Sequence, residues 1–241
     1  SLWSYPYRVA TYASLSPSGS DVLVAGLGGG ILINNLIDFN FNIDCIEFDR
    51  RTVGVAKKYM GLRPNVNIQI DDFRHYVNAT EKKYDLIVLD LSKGEAIPTN
   101  VYTLEAFSKM FSLLKPNGFI ILHYFSDVYG TGGFGMKSII KTMKRAGGFA
   151  SLIKKQDADA NPEELIIASN NPEIITSMNY RVSPNLINQY GFITNDIFDK
   201  TFDTSDGVIL KDGNSKLEKV QFNVVKEIRK NLRLNEFKSF Y

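Results

Sequence analysis

The residues able to do chemistry sit at the ends of apolar runs: glycines at Gly26, Gly28 and Gly30, then carboxylates at Glu47, Asp72 and Asp90. Asp21-Val-Leu-Val-Ala reads as a buried strand that breaks into Gly26-Leu-Gly-Gly-Gly30. Glycines there let the backbone take positive φ and let a ligand approach where a Cβ would obstruct it. The spacing is G-x-G-x-G, and Ile31 stands where a dinucleotide fingerprint wants glycine or alanine, so the turn points away from NAD and towards S-adenosyl-type ligands.

Glu47 closes the second run, Asn42-Ile-Asp-Cys-Ile-Glu47, roughly 20 residues beyond the first glycine, where a ribose-binding carboxylate belongs. Its two oxygens accept from both ribose hydroxyls, and such charged hydrogen bonds contribute about 1.5–3 kcal/mol each. Asp49, two residues on, suits a helix cap at Arg51. Asp72, in Ile70-Asp-Asp-Phe-Arg74, is placed to accept from an adenine amino group while the Phe73 amide donates to the ring. It equally suits a helix cap before Phe73, and the two roles are compatible. Phe48 and Leu91 each follow a strand-end acid and would flank the adenine faces.

Asp90 ends a fourth apolar run, Tyr84-Asp-Leu-Ile-Val-Leu-Asp90. An acid there faces the reactive end of an S-adenosyl ligand and can orient a nucleophilic amine and take its proton. The competing reading is that it satisfies loop amides. Two histidines, His75 and His123, are too few and too badly spaced for a metal site, so no metal is expected.

These side chains need a scaffold that brings strand ends to one crevice. Apolar runs at 21–25, 43–48, 66–71, 84–90 and 118–124 alternate with helical patterns, which argues for βαβ units. A helix from about Arg51 to Met60 stops before Arg63-Pro64. Thr103 caps a helix carrying Leu104, Phe107, Met110, Phe111 and Leu114 on one face, and Lys115-Pro-Asn-Gly118 breaks it. After a helix at about 136–146, runs at 149–155 and 164–169 flank the turn-forming segment 157–162 and read as an antiparallel hairpin. The expected class is α/β, doubly wound, with a mostly parallel seven-stranded Rossmann-like sheet of methyltransferase type and a terminal antiparallel hairpin. Residues 1–20 form a lead segment, 21–170 an S-adenosyl-ligand-binding domain, and 171–241 an extension ending in an amphipathic helix at about 217–232. Trp3, Tyr5, Tyr7 and Tyr12 are candidates to wall the pocket, and Gly130–Gly135 is a candidate lid hinge.

At 241 residues and 44% hydrophobic, the chain can bury a full core. Its net charge of +2 makes no case for nucleic acid as a partner. The single cysteine, Cys45, reads as a buried apolar residue and leaves no intramolecular disulfide. No run approaches the roughly 18 apolar residues of a membrane span. Ser1-Leu-Trp-Ser-Tyr-Pro-Tyr7 lacks the cationic start and apolar run of a signal peptide, so a cytoplasmic location is expected. The opening serine fits a domain cut from something longer.

The order of the glycine turn, Glu47, Asp72, Asp90, Pro98, Tyr102-Thr-Leu-Glu-Ala-Phe107 and Lys115-Pro-Asn-Gly118 resembles the spermidine synthase (polyamine aminopropyltransferase) family over residues 21 to about 125. That resemblance implies a transferase using decarboxylated S-adenosylmethionine or S-adenosylmethionine as co-substrate. Glu47 would take the ribose, Asp72 the adenine and Asp90 the attacking amine of a small-molecule acceptor, a polyamine in that family. Residues 208–218 and the helix after them resemble the tail of spermidine synthase-like domains fused to membrane segments, so a homodimer and an attached membrane domain are further expectations. The chain also departs from the family. Gly28 and Lys93 stand where the family carries acids that bind cationic amines, and the family's N-terminal β-rich segment has no counterpart in the roughly 20 residues before the first strand. A lysine 4 Å from a substrate ammonium would cost roughly 1–4 kcal/mol. Methyl transfer from S-adenosylmethionine to a small molecule, and adenosyl-ligand binding without turnover, therefore stay open beside aminopropyl transfer.

Overall fold

A computed structural model describes residues 5–91, 98–125, 130–155, 163–177 and 196–213. The strands are β1 (Asp21–Ala25), β2 (Asn42–Glu47), β3 (Asn67–Ile70), β4 (Tyr84–Leu89), β5 (Leu114–Phe125), β6 (Phe149–Lys155), β7 (Glu163–Ser169) and β8 (Asp196–Asp199). They form one sheet in the order β3-β2-β1-β4-β5-β7-β6-β8. β1 to β5 run parallel, whereas β7 lies antiparallel between β5 and β6. The helices are α1 (Tyr5–Ala13), α2 (Ile31–Ile37), α3 (Arg50–Tyr59), α4 (Phe73–Ala79), α5 (Leu104–Ser112), α6 (Gly130–Arg145) and α7 (Pro172–Ser177).

β1 sits in the middle and explains why the apolar runs are continuous. Leu23 and Ala25 face a core shared with α4, α5 and α6, while Val22 and Val24 face a second core under α1 and α2. A strand covered on both faces cannot alternate polar with apolar residues. The order in which successive strands are added to the sheet reverses at β1, which pairs with β2 on one side and β4 on the other. Ligands of open α/β sheets bind outside the carboxyl ends of strands at such a switch point.

The expected mostly parallel sheet with its antiparallel hairpin is present, with three differences. An eighth strand, β8, pairs antiparallel with β6 through Leu152↔Asp199 to Lys155↔Asp196. Lys115-Pro-Asn-Gly118 lies inside β5, where the register jumps from Tyr84↔Leu114 to Leu86↔Phe119 and the extra residues are absorbed as an irregularity. The lead segment contains α1, whose Val9, Ala10, Tyr12 and Ala13 are buried in the second core. At the other end of the chain, Leu210 packs in the first core and its carbonyl accepts from the Leu104 amide. Neither assigned boundary, at 20/21 or 170/171, marks a break in the packing. The proposed hinge, Gly130–Gly135, is instead the first part of α6. Trp3, the 157–162 turn and the 217–232 helix lie outside the described residues.

The end of the sheet away from the crevice is tied by ions. Buried Asp44 of β2 accepts from Lys82 Nζ at 2.8 Å, Asn67 Nδ2 at 2.8 Å and the Tyr84 hydroxyl at 3.0 Å. Burial alone would raise its pKa, but the hydrogen bonds from Lys82, Asn67 and Tyr84 outweigh that and hold it below the ordinary 3.8. A carboxyl lowered by folding contributes stability that is present above its unfolded value and lost as pH falls through the folded one. Asp44→Asn should therefore cost about 1–3 kcal/mol at pH 7. In denaturant titrations the gap to wild type should narrow below the ordinary 3.8, and a gap that stays constant to pH 3 would count against this account.

Candidate active site

The glycine turn follows β1 directly. Gly26, Gly28 and Gly30 have φ of 91°, 50° and 78°, all in the left-handed region that favours glycine. A Cβ on Gly26 would lie 2.3 Å from the Asp90 carbonyl oxygen, so the turn and the end of β4 can touch only through a glycine. The main chain locks them: the Gly26 amide donates to Ile46 O at 2.9 Å and the Asp90 amide to Ala25 O at 3.0 Å. Nothing lies within 4 Å of a Cβ built on Gly28, which leaves open space over the loop.

Glu47, at the end of β2, holds this turn from the side. Its Oε2 accepts from the Leu27 amide at 3.0 Å and its Oε1 from the Asp49 amide at 2.8 Å. Two of about four lone-pair positions are thereby used, and the rest remain for ribose hydroxyls. Asp49 caps α3, accepting from the Arg51 amide, as its position suggested. Asp72 caps α4 through a 3.0 Å bond from the His75 amide to Oδ1. Phe73 splits in two: its ring is buried in the first core, so only its amide, at the start of α4, is available to a ligand. Phe48 is 72% exposed beside Glu47, which is unusual for a phenylalanine with no face to cover it. Leu91 packs partly on the first core, and its Cδ2 lies 3.6 Å from a Cβ built on Gly26. Gly26, Glu47, Asp90 and Leu91 are thus drawn together around the ends of β1, β2 and β4. Asp72 and Phe73 stand one strand farther out, past β3, whose Ile70 pairs with Glu47.

Asp90 is mostly buried, with 16% of its side chain exposed. Tyr5 Oη donates to Asp90 Oδ2 at 3.2 Å, and His123 Nδ1 lies 3.4 Å from Asp90 Oδ1. The Tyr5 and His123 rings stack with centroids 3.7 Å apart and planes 2° apart. The Tyr102 hydroxyl has no hydrogen-bond partner among the described residues, and burial, then Tyr124 and Asp90, push its pKa far up. Burial does the same to the Cys45 thiol, with Glu47 and Asp90 adding to it. Both groups stay protonated at neutral pH. Of the aromatic residues proposed as pocket walls, Tyr5 reaches Asp90, but Tyr12 is buried away from it with its hydroxyl on Asp196 at 2.8 Å. Sequence reasoning missed His123, which it weighed only as a metal ligand. Its position at the end of the strand after Asp90's strand was the available signal. Lys93 lies outside the described residues.

A glycine turn and three acids thus stand near strand ends around the switch point of a methyltransferase-type sheet, the place where open α/β sheets bind ligands. The chain belongs to the family described as the spermine/spermidine synthase domain, which matches residues 9–146. A polyamine aminopropyltransferase of Alkaliphilus oremlandii is 28% identical over 137 residues, 54% of this chain and 48% of that protein. An N-terminal histidine N-methyltransferase of Emericella nidulans is 35% identical over 116 residues, 46% of this chain and 21% of that protein. The match thus spans about half the length of the curated aminopropyltransferase. Among solved structures, a probable spermidine synthase from Corynebacterium glutamicum superposes with a TM-score of 0.68 at 17% identity, covering 89% of this chain and 82% of that one. A spermidine synthase in complex with the transition-state analogue AdoDATO superposes with a TM-score of 0.57 at 18% identity, covering 78% of this chain and 74% of that one. Among the described residues no helix is long and apolar enough to cross a membrane.

Proposed function

We propose that the protein is a transferase that binds an S-adenosyl-type ligand and moves an aminopropyl group to an amine, with Asp90 as the base. The observation that carries this reading is the placing of Asp90: its main chain is pinned against the glycine turn, and its mostly buried carboxylate has Tyr5 and His123 at its two oxygens. The residues present suit such a ligand. Gly28 leaves open space over the loop, Glu47 keeps lone pairs for ribose, and Asp72 keeps its second oxygen for the adenine amino group. Phe48 and Leu91 flank the base, and the Phe73 amide donates to it. The bound ligand supplies an alkyl carbon on a positively charged sulfur. Displacement at that carbon depends mainly on positioning, which the rigid strand ends provide.

Gly28 carries no carboxylate, so the turn lacks the acid that the family resemblance associates with holding the decarboxylated ligand's amine. Methyl transfer from intact S-adenosylmethionine is the second reading on that account. The acceptor is a small molecule in either case, and a cytoplasmic site of action fits it.

Titration calorimetry with decarboxylated S-adenosylmethionine and S-adenosylmethionine separates the two. Preference for the decarboxylated ligand supports aminopropyl transfer, preference for the intact one favours the methyltransferase, and binding of neither refutes the site. Glu47→Gln should weaken the preferred ligand by about 10- to 100-fold, the worth of one or two charged hydrogen bonds. Unchanged affinity would remove Glu47 from the site.

A further inference from the structure

His123 follows the last β4–β5 pair, Leu89↔Leu122, so it flanks Asp90 where β4 ends and β5 continues. Its side chain is only 13% exposed, with Nδ1 turned to Asp90 and one ring face covered by Tyr5. The Nε2 atom is buried and has no hydrogen-bond partner among the described residues. Buried polar atoms are nearly always paired, and one left over beside a reactive carboxylate calls for a ligand. A neutral imidazole carries a single N–H, and with Asp90 Oδ1 3.4 Å from Nδ1 the tautomer that turns this N–H to the carboxylate leaves a lone pair on Nε2.

We propose that His123 Nε2 is the atom that takes the acceptor's proton. Asp90 holds the other ring proton and balances the imidazolium charge, and Tyr5 fixes the plane of the ring. The proposal rests on the transferase reading but moves the base from Asp90 to its neighbour: His123 supplies the lone pair, and Asp90 the charge that orients the ring. The acceptor nitrogen enters unprotonated and its lone pair forms the bond to the alkyl carbon. The carbon–sulfur bond breaks with its electron pair staying on sulfur, which becomes a neutral thioether. The nitrogen then gives one proton to Nε2. Positive charge thus passes from sulfonium to imidazolium beside Asp90, and no further reactant is needed.

The surroundings of the ring allow this. α1 presents Tyr5, while Arg8 on the same helix is already committed to Asp196 of β8. β7 places the apolar Leu165 opposite His123. The Tyr102 hydroxyl and the Cys45 thiol are held protonated, so neither competes for the proton.

The chain has only two histidines, so ¹⁵N-histidine NMR of the whole protein resolves the question, with His75→Asn assigning the second signal. At pH 8, His123 should be the Nδ1–H tautomer, and Asp90→Asn should shift that equilibrium. An Nε2–H tautomer, or one indifferent to Asp90→Asn, would overturn the proposal whatever the turnover. In assays with decarboxylated S-adenosylmethionine and 1,4-diaminobutane, His123→Asn should keep the sulfonium ligand's Kd within about twofold. It should lose about 100-fold or more in kcat, and the acid limb of the kcat–pH profile should disappear. A kcat within about threefold and an unchanged profile would also overturn it. Failure of the wild type to bind either adenosyl ligand would refute the transferase reading and this role with it, whereas the wrong tautomer refutes this role alone.

Discussion

Asp90→Asn should lower turnover by about 10²- to 10⁴-fold, the usual worth of a positioned acid–base group, while the adenosyl ligand's Kd stays within about twofold. The two effects separate because the side chain and main chain of Asp90 do different work. The amide on Ala25 and the carbonyl against Gly26 fix the junction of β1 and β4, and both survive the substitution. Asparagine keeps an oxygen that accepts from the Tyr5 hydroxyl, so the stacked Tyr5–His123 pair has no steric reason to move. The negative charge is removed, and the atom that faces His123 Nδ1 changes from an acceptor to a donor. Without the charge a neighbouring imidazolium is uncompensated in a buried site, and the proton has nowhere favourable to go. A protein that only bound the ligand would show no functional change, so the variant separates enzyme from binding module. Turnover within about threefold of wild type, at intact ligand affinity, would remove Asp90 from the chemistry.

Much of this site was legible in the sequence because its parts are short-range. A buried strand running into glycines, and an acid closing each of three strands, are patterns set by neighbours along the chain, and the fold places them where those patterns imply. What escaped was set by tertiary packing. α1 carries almost no helical period, since Arg8 and Thr11 are buried along with the apolar residues around them. Pro6 in its first turn was the one local sign of a helix start. β8 is four residues long, too short to stand out from the 171–241 extension. Lys115-Pro-Asn-Gly118 read as a breaker because proline and glycine usually are, yet β5 tolerates them as an irregularity beside Tyr84. His123 had one local signal, its place late in the run after Asp90's, but its closeness to Asp90 is set by the pairing of β5 with β4.

Arg8→Met should destabilise the protein by about 3–5 kcal/mol, because breaking a buried ion pair strands the remaining charge. For a chain of this size that is a fall of roughly 6–20 °C in Tm. Arg8 and Asp196 are 0% and 2% exposed, joined by Nη2 to Oδ1 at 2.9 Å and Nε to Oδ2 at 3.1 Å. Arg8 Nη2 also donates to Ile153 O at 3.2 Å, so one guanidinium ties α1 to both β6 and β8. Tyr12 completes the cluster with its hydroxyl on Asp196, and burial, then that carboxylate, keep it protonated far above the ordinary tyrosine range. The double change Arg8→Met with Asp196→Met should recover part of the loss, since no charge is then stranded, although Tyr12 loses its acceptor. Thermal unfolding of the two variants tests this, and a single variant within about 1 kcal/mol of wild type would show that the pair does not hold α1. The consequence reaches the active site. Arg8 lies one helical turn from Tyr5, so loosening α1 also frees the ring that stacks on His123 and the hydroxyl that meets Asp90. Arg8→Met should thus lower turnover at temperatures well below its Tm, through the loosening of α1.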